Sequence, residues 1–127
     1  MYVEDQPTFL NAAVKGETSL SPRALLACLK RIEAEIGRLA GARYGPREVD
    51  LDLVAFGSLA YRYEEGHQVR LEVPHPRIAE RRFVLQPLND IAADYVLPGF
   101  GVVRDLLGQT EAQAASVTRS EHALLPI

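Results

Sequence analysis

Tryptophan is absent and cysteine occurs once, at Cys28. A lone cysteine forms no internal disulfide, so a reducing, cytoplasmic setting is expected. Long apolar runs are missing too. The longest covers residues 24–29, six positions, where a membrane-spanning helix needs roughly 20. The opening Met-Tyr-Val-Glu-Asp-Gln-Pro has no basic start and no apolar stretch, so it does not read as a secretory signal. Glycine and proline number 9 and 8. These ordinary shares exclude collagen-like and low-complexity chains. Lysine is scarce, with two copies against twelve arginines.

What remains is an ordinary globular composition. Apolar residues make up 47% and charged residues 24% of 127 positions, enough for one domain and not two. The net charge of −3 argues against a general nucleic-acid binder. The arginine excess has two readings: codon bias, or a need for the guanidinium fork that grips phosphate. Its distribution favours the second, because eight of the twelve arginines lie between Arg38 and Arg82.

Along the chain, residues 9–14 form a short, mainly apolar strand candidate. Helix follows: Ser21 is a plausible N-cap, and Pro22 suits the first helical position. Leu25, Leu29, Ile32, Ile36 and Leu39 recur at helical spacing, which predicts one buried stripe, with exits at Gly37 or Gly41. Tyr44-Gly45-Pro46-Arg47 reads as a tight turn, and residues 49–56 as a strand broken by Gly57-Ser58. Residues 59–63 and 69–73 are further strands around a polar loop. Pro74 and Pro76 stop regular structure about His75. Residues 78–88 suggest a short helix with an irregular end at Pro87, and 102–107 another turn or two. Residues 109–127 lack apolar period and read as a flexible tail, leaving 1–108 as the domain. This order predicts an α+β fold in two layers.

The chemistry sits in Val49-Asp50-Leu51-Asp52-Leu53. Strand side chains alternate, so Asp50 and Asp52 share a face. The two acids are either solvated or neutralised by something positive. Magnesium suits the second case, since it takes one or two carboxylates and completes its shell with phosphate oxygens and water. Arg38, Arg43 and Arg47 lie close before the acids. Acids for metal and arginines for phosphate read as a nucleoside-triphosphate site. A second cluster is Arg70, then Pro74-His75-Pro76-Arg77, then Arg81-Arg82-Phe83. No second histidine or cysteine nearby supports zinc, and neither Gly-x-Ser-x-Gly nor a Walker-type phosphate loop occurs.

Gly45-Pro46-Arg47-Glu48-Val49-Asp50-Leu51-Asp52-Leu53, followed by Phe56-Gly57, resembles the signature of the 6-hydroxymethyl-7,8-dihydropterin pyrophosphokinase family of folate biosynthesis. Val73-Pro74-His75-Pro76-Arg77 with Arg81, Phe83-Val84-Leu85 and Pro87-Leu88 resembles its second block. Gln6-Pro7 and Phe9-Leu10-Asn11-Ala12-Ala13-Val14 resembles a third. The resemblance implies a ferredoxin-like sandwich of antiparallel sheet and helices. It implies transfer of pyrophosphate from ATP to the pterin hydroxymethyl group, releasing AMP. Asp50 and Asp52 would hold two Mg2+ ions, and Arg38 and Arg47 would neutralise the transferring group. Glu33, Leu53, Arg70, His75 and Arg81 would line the ATP site. Phe9, Asn11, Tyr44 and Phe83 would bind the pterin.

The resemblance lacks the family's first strand-helix-strand, about 45 residues on typical domain sizes. Either Met1 is a misassigned start, or the chain is a fragment whose exposed sheet edge invites self-association. The partners expected are ATP and hydroxymethyldihydropterin, with no nucleic acid and no membrane. The alternatives are an inactive fragment that folds or oligomerises without catalysis, and a different Asp-x-Asp nucleotide enzyme such as a nucleotide-sugar transferase.

Overall fold

A computed structural model of the chain describes residues 2–4, 9–39 and 49–119. The expected turn at Tyr44-Gly45-Pro46-Arg47, together with Gln6-Pro7, Gly41 and Arg43, lies outside the described residues.

Helices and antiparallel strands mix in one α+β arrangement. Strand β1 (Tyr2–Glu4) pairs with β2 (Phe9–Asn11). The expected strand over residues 9–14 therefore ends at Asn11, and Val14 beyond it is 81% exposed.

Helix α1 spans Pro22–Leu39. Its start follows from local chemistry. The Ser21 hydroxyl accepts the Ala24 amide at 3.2 Å, and the Ser21 carbonyl accepts the Leu25 amide at 2.8 Å. The first contact satisfies an amide of the first turn that would otherwise be orphaned, and the second is the helix's first intrahelical bond. The buried stripe is rotated from the predicted one. Leu25, Leu29 and Ile36 are half-buried, but Ile32 is 44% exposed and the most buried position is Glu33. The helix turns Glu33 inward because its carboxylate has a backbone partner there.

Residues 49–56 were expected as a strand. No ladder joins them to another strand among the described residues, and only the bridge Phe56–Leu59 follows. The alternation nevertheless holds: Val49, Leu51 and Leu53 are half-buried, while Asp50 and Asp52 are exposed. The backbone finds partners other than a neighbouring strand. Glu33 Oε2 accepts the Leu51 amide at 2.6 Å, and Lys30 Nζ donates to the Leu51 carbonyl at 3.2 Å. Further along, the Val54 carbonyl accepts the His75 amide at 2.8 Å.

Gly57 (φ 56°) makes the turn after Phe56. The hairpin β3 (Tyr61–Glu65) and β4 (Gln68–Val73) closes through Gly66-His67, with Gly66 at φ 64°. Positive φ is what a two-residue hairpin turn demands, and glycine meets it without a Cβ clash. Arg23 stacks over the Tyr63 ring at 3.7 Å and ties α1 to this hairpin.

After Pro74 and His75 come a 3-10 turn (Ile78–Glu80) and α2 (Arg82–Ala92). The irregular end expected at Pro87 is absent: α2 runs through it. Proline forfeits one intrahelical bond. Pro87 is buried, however, and packing by Leu85 and Leu88 on either side holds the turn. Strands β5 (Val96–Leu97) and β6 (Gly101–Val102) pair, and α3 (Val103–Gly108) follows. The core is Ile78, Leu85, Leu97, Val103 and Leu106, with Val54 and Ala55 packed against it. The acid-bearing segment is thus anchored at its far end by apolar burial, about 1.5–3 kcal/mol for each large side chain wholly removed from water.

Past Gln109 the described residues run on to Arg119. A 3-10 segment (Glu111–Ser116) leads to β7 (Val117–Arg119), which pairs antiparallel with β1 and gives the sheet order β2-β1-β7. Thr110 and Val117 are buried. Small, polar residues hide this order from a pattern search, because side-chain hydrogen bonds secure the segment rather than an apolar stripe. Helix α2 packs against both α3 and β1.

Candidate active site

The site is built around Leu51. Glu33 and Lys30, three residues apart on α1, grip its amide and its carbonyl. They also meet each other at 3.4 Å. Glu33 is 8% exposed. A buried carboxylate needs such partners, and a charged acceptor gives a stronger bond than a neutral one. With Leu51 drawn toward α1, its neighbours Asp50 and Asp52 are left on the solvent side.

His75 is the next element. Its backbone amide is bound to Val54, two residues past Asp52, and its Nδ1 accepts the Arg77 amide at 3.1 Å. With Nδ1 occupied as an acceptor, the neutral ring carries its proton on Nε2. Burial pushes the imidazole below its ordinary pKa, and the nearby Arg81 guanidinium adds to this. Asp52 acts in the opposite direction, Arg77 lowers it further and Glu72 opposes. The imidazole therefore feels the charges of both Arg81 and Asp52. Arg81 also lies 5.8 Å from the Phe83 ring centroid. The Tyr95 hydroxyl donates to the Gly57 carbonyl, and burial raises its pKa. That contact ties the turn after the acidic segment to the core.

Arg38 is exposed at the end of α1 and pairs with Glu35. Arg70, on β4, has Glu65 at 3.9 Å as its ion-pair partner. Leu53 and Phe83 are half-buried. Asn11 sits on β2, and its Nδ2 is a buried donor without a partner. Arg47 and Tyr44 lie outside the described residues, as does the side chain of Phe9.

Among the described residues no cluster of three or more His, Cys, Asp or Glu side chains occurs. That rules out a protein-only cage within this part of the chain. Two exposed carboxylates are hard oxygen donors, which fit magnesium completed by phosphate and water. The sequence pattern pointed to the acids and to His75. It did not point to Lys30, whose only signal was its helical i,i+3 spacing from Glu33.

The sequence model of the 7,8-dihydro-6-hydroxymethylpterin-pyrophosphokinase family matches residues 1–93, and the chain belongs to that family. It is 52% identical over 90 residues to a mitochondrial folate synthesis bifunctional protein of Pisum sativum, covering 71% of this chain and 16% of that protein. It is 42% identical over 106 residues to the 2-amino-4-hydroxy-6-hydroxymethyldihydropteridine pyrophosphokinase of Haemophilus influenzae, covering 84% of this chain and 63% of that one. A protein of the same description from Methylorubrum extorquens is 44% identical over 110 residues, covering 84% and 64%. The chain thus spans less than two thirds of the length of each of these relatives.

Proposed function

We propose that the chain transfers pyrophosphate from ATP to 6-hydroxymethyl-7,8-dihydropterin, giving AMP and the pterin diphosphate, as part of folate synthesis. The single observation that carries this reading is the pair Asp50 and Asp52, both turned to solvent by the grip on Leu51. Family membership and the names of the bacterial relatives support it. In the reaction the substrate hydroxyl oxygen bonds to the β-phosphorus. The bond from that phosphorus to the α,β-bridging oxygen breaks, AMP leaves, and the hydroxyl proton is released to water. Such transfers need positioning and charge neutralisation more than covalent help.

Asp50 and Asp52 would hold two Mg2+ ions, which supply charge neutralisation on the phosphate oxygens when bound. Arg38 and Arg47 face the transferring group in this reading. His75 offers a neutral Nε2 donor, and Arg70 and Arg81 offer fixed positive charge to the nucleotide. Leu53 offers an apolar wall to the base. Glu33 serves the nucleotide site from behind, by holding Leu51. Asn11 Nδ2, buried and unpartnered, suits a hydrogen-bond acceptor on the pterin. Phe9, Phe83 and Tyr44 supply aromatic surface for its ring. The finer architecture in this reading is the ferredoxin-like sandwich. The setting is cytoplasmic, and the sheet edge is a surface for self-association.

The test is chromatographic detection of AMP from ATP, with and without the pterin. AMP that appears only with pterin supports the proposal. ATP turnover independent of pterin favours another Asp-x-Asp nucleotide enzyme, and no turnover favours a folded chain without catalysis. Asp50→Ala is expected to abolish turnover while the thermal midpoint stays near the parent's. A near-normal rate in that variant contradicts the assignment.

A further inference from the structure

Two adjacent arginines open α2, and they are used differently. Arg82 turns inward: its side chain is 11% exposed, with Nη1 donating to the Leu107 carbonyl at 3.2 Å and to Thr110 Oγ1 at 3.4 Å. Arg81 is the residue whose charge reaches His75. The peptide groups on both sides of Arg81 are held by one side chain from far along the sequence. Gln113 Nε2 donates to the Glu80 carbonyl at 2.7 Å, and Gln113 Oε1 accepts the Arg82 amide at 3.1 Å. Local turns hold the rest. The Arg81 amide donates to Ile78, and the Arg81 carbonyl accepts the amides of Val84 and Leu85.

Gln113 is itself fixed. Its amide donates to the Thr110 carbonyl at 2.9 Å, and its carbonyl accepts the Ser116 hydroxyl at 2.8 Å. It lies twenty residues beyond the last position matched by the family model, residue 93. A carboxamide is suited to this task because it carries a donor and an acceptor on one planar group. Glutamate keeps the acceptor and loses the donor. Methionine keeps the length and loses both.

We propose that Gln113 is a positioning residue that sets where the Arg81 guanidinium lies, through the two peptide groups that flank Arg81. In consequence, and resting on the ATP-binding reading above, it tunes nucleotide affinity without touching the nucleotide. The segment that begins at Gln109 thereby becomes part of the site's construction.

The test compares the full parent chain with Gln113→Met, Arg81→Ala and the double variant. Two readouts are taken: calorimetric affinity for a non-hydrolysable ATP analogue with magnesium, and the 15N order parameter of the Arg81 backbone amide without ligand. Gln113→Met is expected to lower the Arg81 order parameter from about 0.85 toward 0.6. It is expected to weaken analogue binding about tenfold, with no further loss when Arg81 is already alanine. A role confined to stability would add in full to the Arg81→Ala loss, and that overturns the proposal. So does an unchanged Arg81 order parameter. If Arg81→Ala leaves affinity intact while Gln113→Met still loosens Arg81, the positioning stands and the nucleotide reading of Arg81 falls. Gln113→Glu, which keeps the bond to the Arg82 amide, replaces the methionine variant should that one fail to fold, and the same outcomes apply.

Discussion

Removing the Glu33 carboxylate should loosen the acidic segment at its centre. In Glu33→Ala the Leu51 amide loses its 2.6 Å acceptor in a half-buried position. A hydrogen bond to a charged group contributes about 1.5–3 kcal/mol. The Lys30 ion pair adds little, because the lysine side chain is 48% exposed and solvent screens it. A loss of about 2 kcal/mol is therefore expected, which lowers the melting temperature by roughly 7 °C for a domain of this size. Glu33→Gln keeps an acceptor oxygen and should lose about half as much. Lys30→Met, on the exposed side of the bracket, should lose no more than about 0.5 kcal/mol. Urea unfolding followed by circular dichroism measures all three. If Glu33→Ala unfolds within about 0.5 kcal/mol of the parent, the size of error expected for a surface change, the bracket on Leu51 does not hold the segment. The same variant should also bind the magnesium complex of an ATP analogue more weakly, since Asp50 and Asp52 flank the released residue.

Further expectations concern the histidine and the core. His75 should titrate below its ordinary value near 6.5 in the folded chain. The unfolded state then takes the proton first, so this residue's contribution to stability is complete above about pH 6.5 and is lost as pH falls through the lowered folded value. Arg81→Ala should move the His75 midpoint upward in an NMR titration, and a downward move contradicts the account. Leu85, fully buried in the core, should cost about 2–5 kcal/mol as alanine. A cost under about 1 kcal/mol in chemical denaturation would mean that the core is not centred on Ile78, Leu85, Leu97, Val103 and Leu106.

Local chemistry was readable from the sequence where a single residue decides it. Ser21 and Pro22 marked the start of α1, and the polar loop after residue 63 marked the hairpin. The exposure of Asp50 and Asp52 followed from alternation alone. What escaped was whatever depends on a distant partner. Residues 49–55 keep a strand's alternation without a ladder, because side chains of α1 and the His75 amide take the neighbouring strand's place. Ile32 looked like a core residue by spacing, yet the helix turns Glu33 inward to reach Leu51. Pro87 looked like a helix end, yet burial carries α2 past it. Gln113 had no sequence signal at all, since a glutamine in a small, polar stretch gives no hint of two long-range bonds.

The proposed function requires Asp50 and Asp52 to bring divalent cations to a triphosphate. Manganese can replace magnesium as a spectroscopic probe, and its free concentration is counted by electron paramagnetic resonance in the presence of a non-hydrolysable ATP analogue. The account predicts two protein-dependent manganese ions per chain in the parent, and a loss of both tight sites in Asp52→Asn. Manganese binding that is the same in Asp52→Asn as in the parent would contradict it.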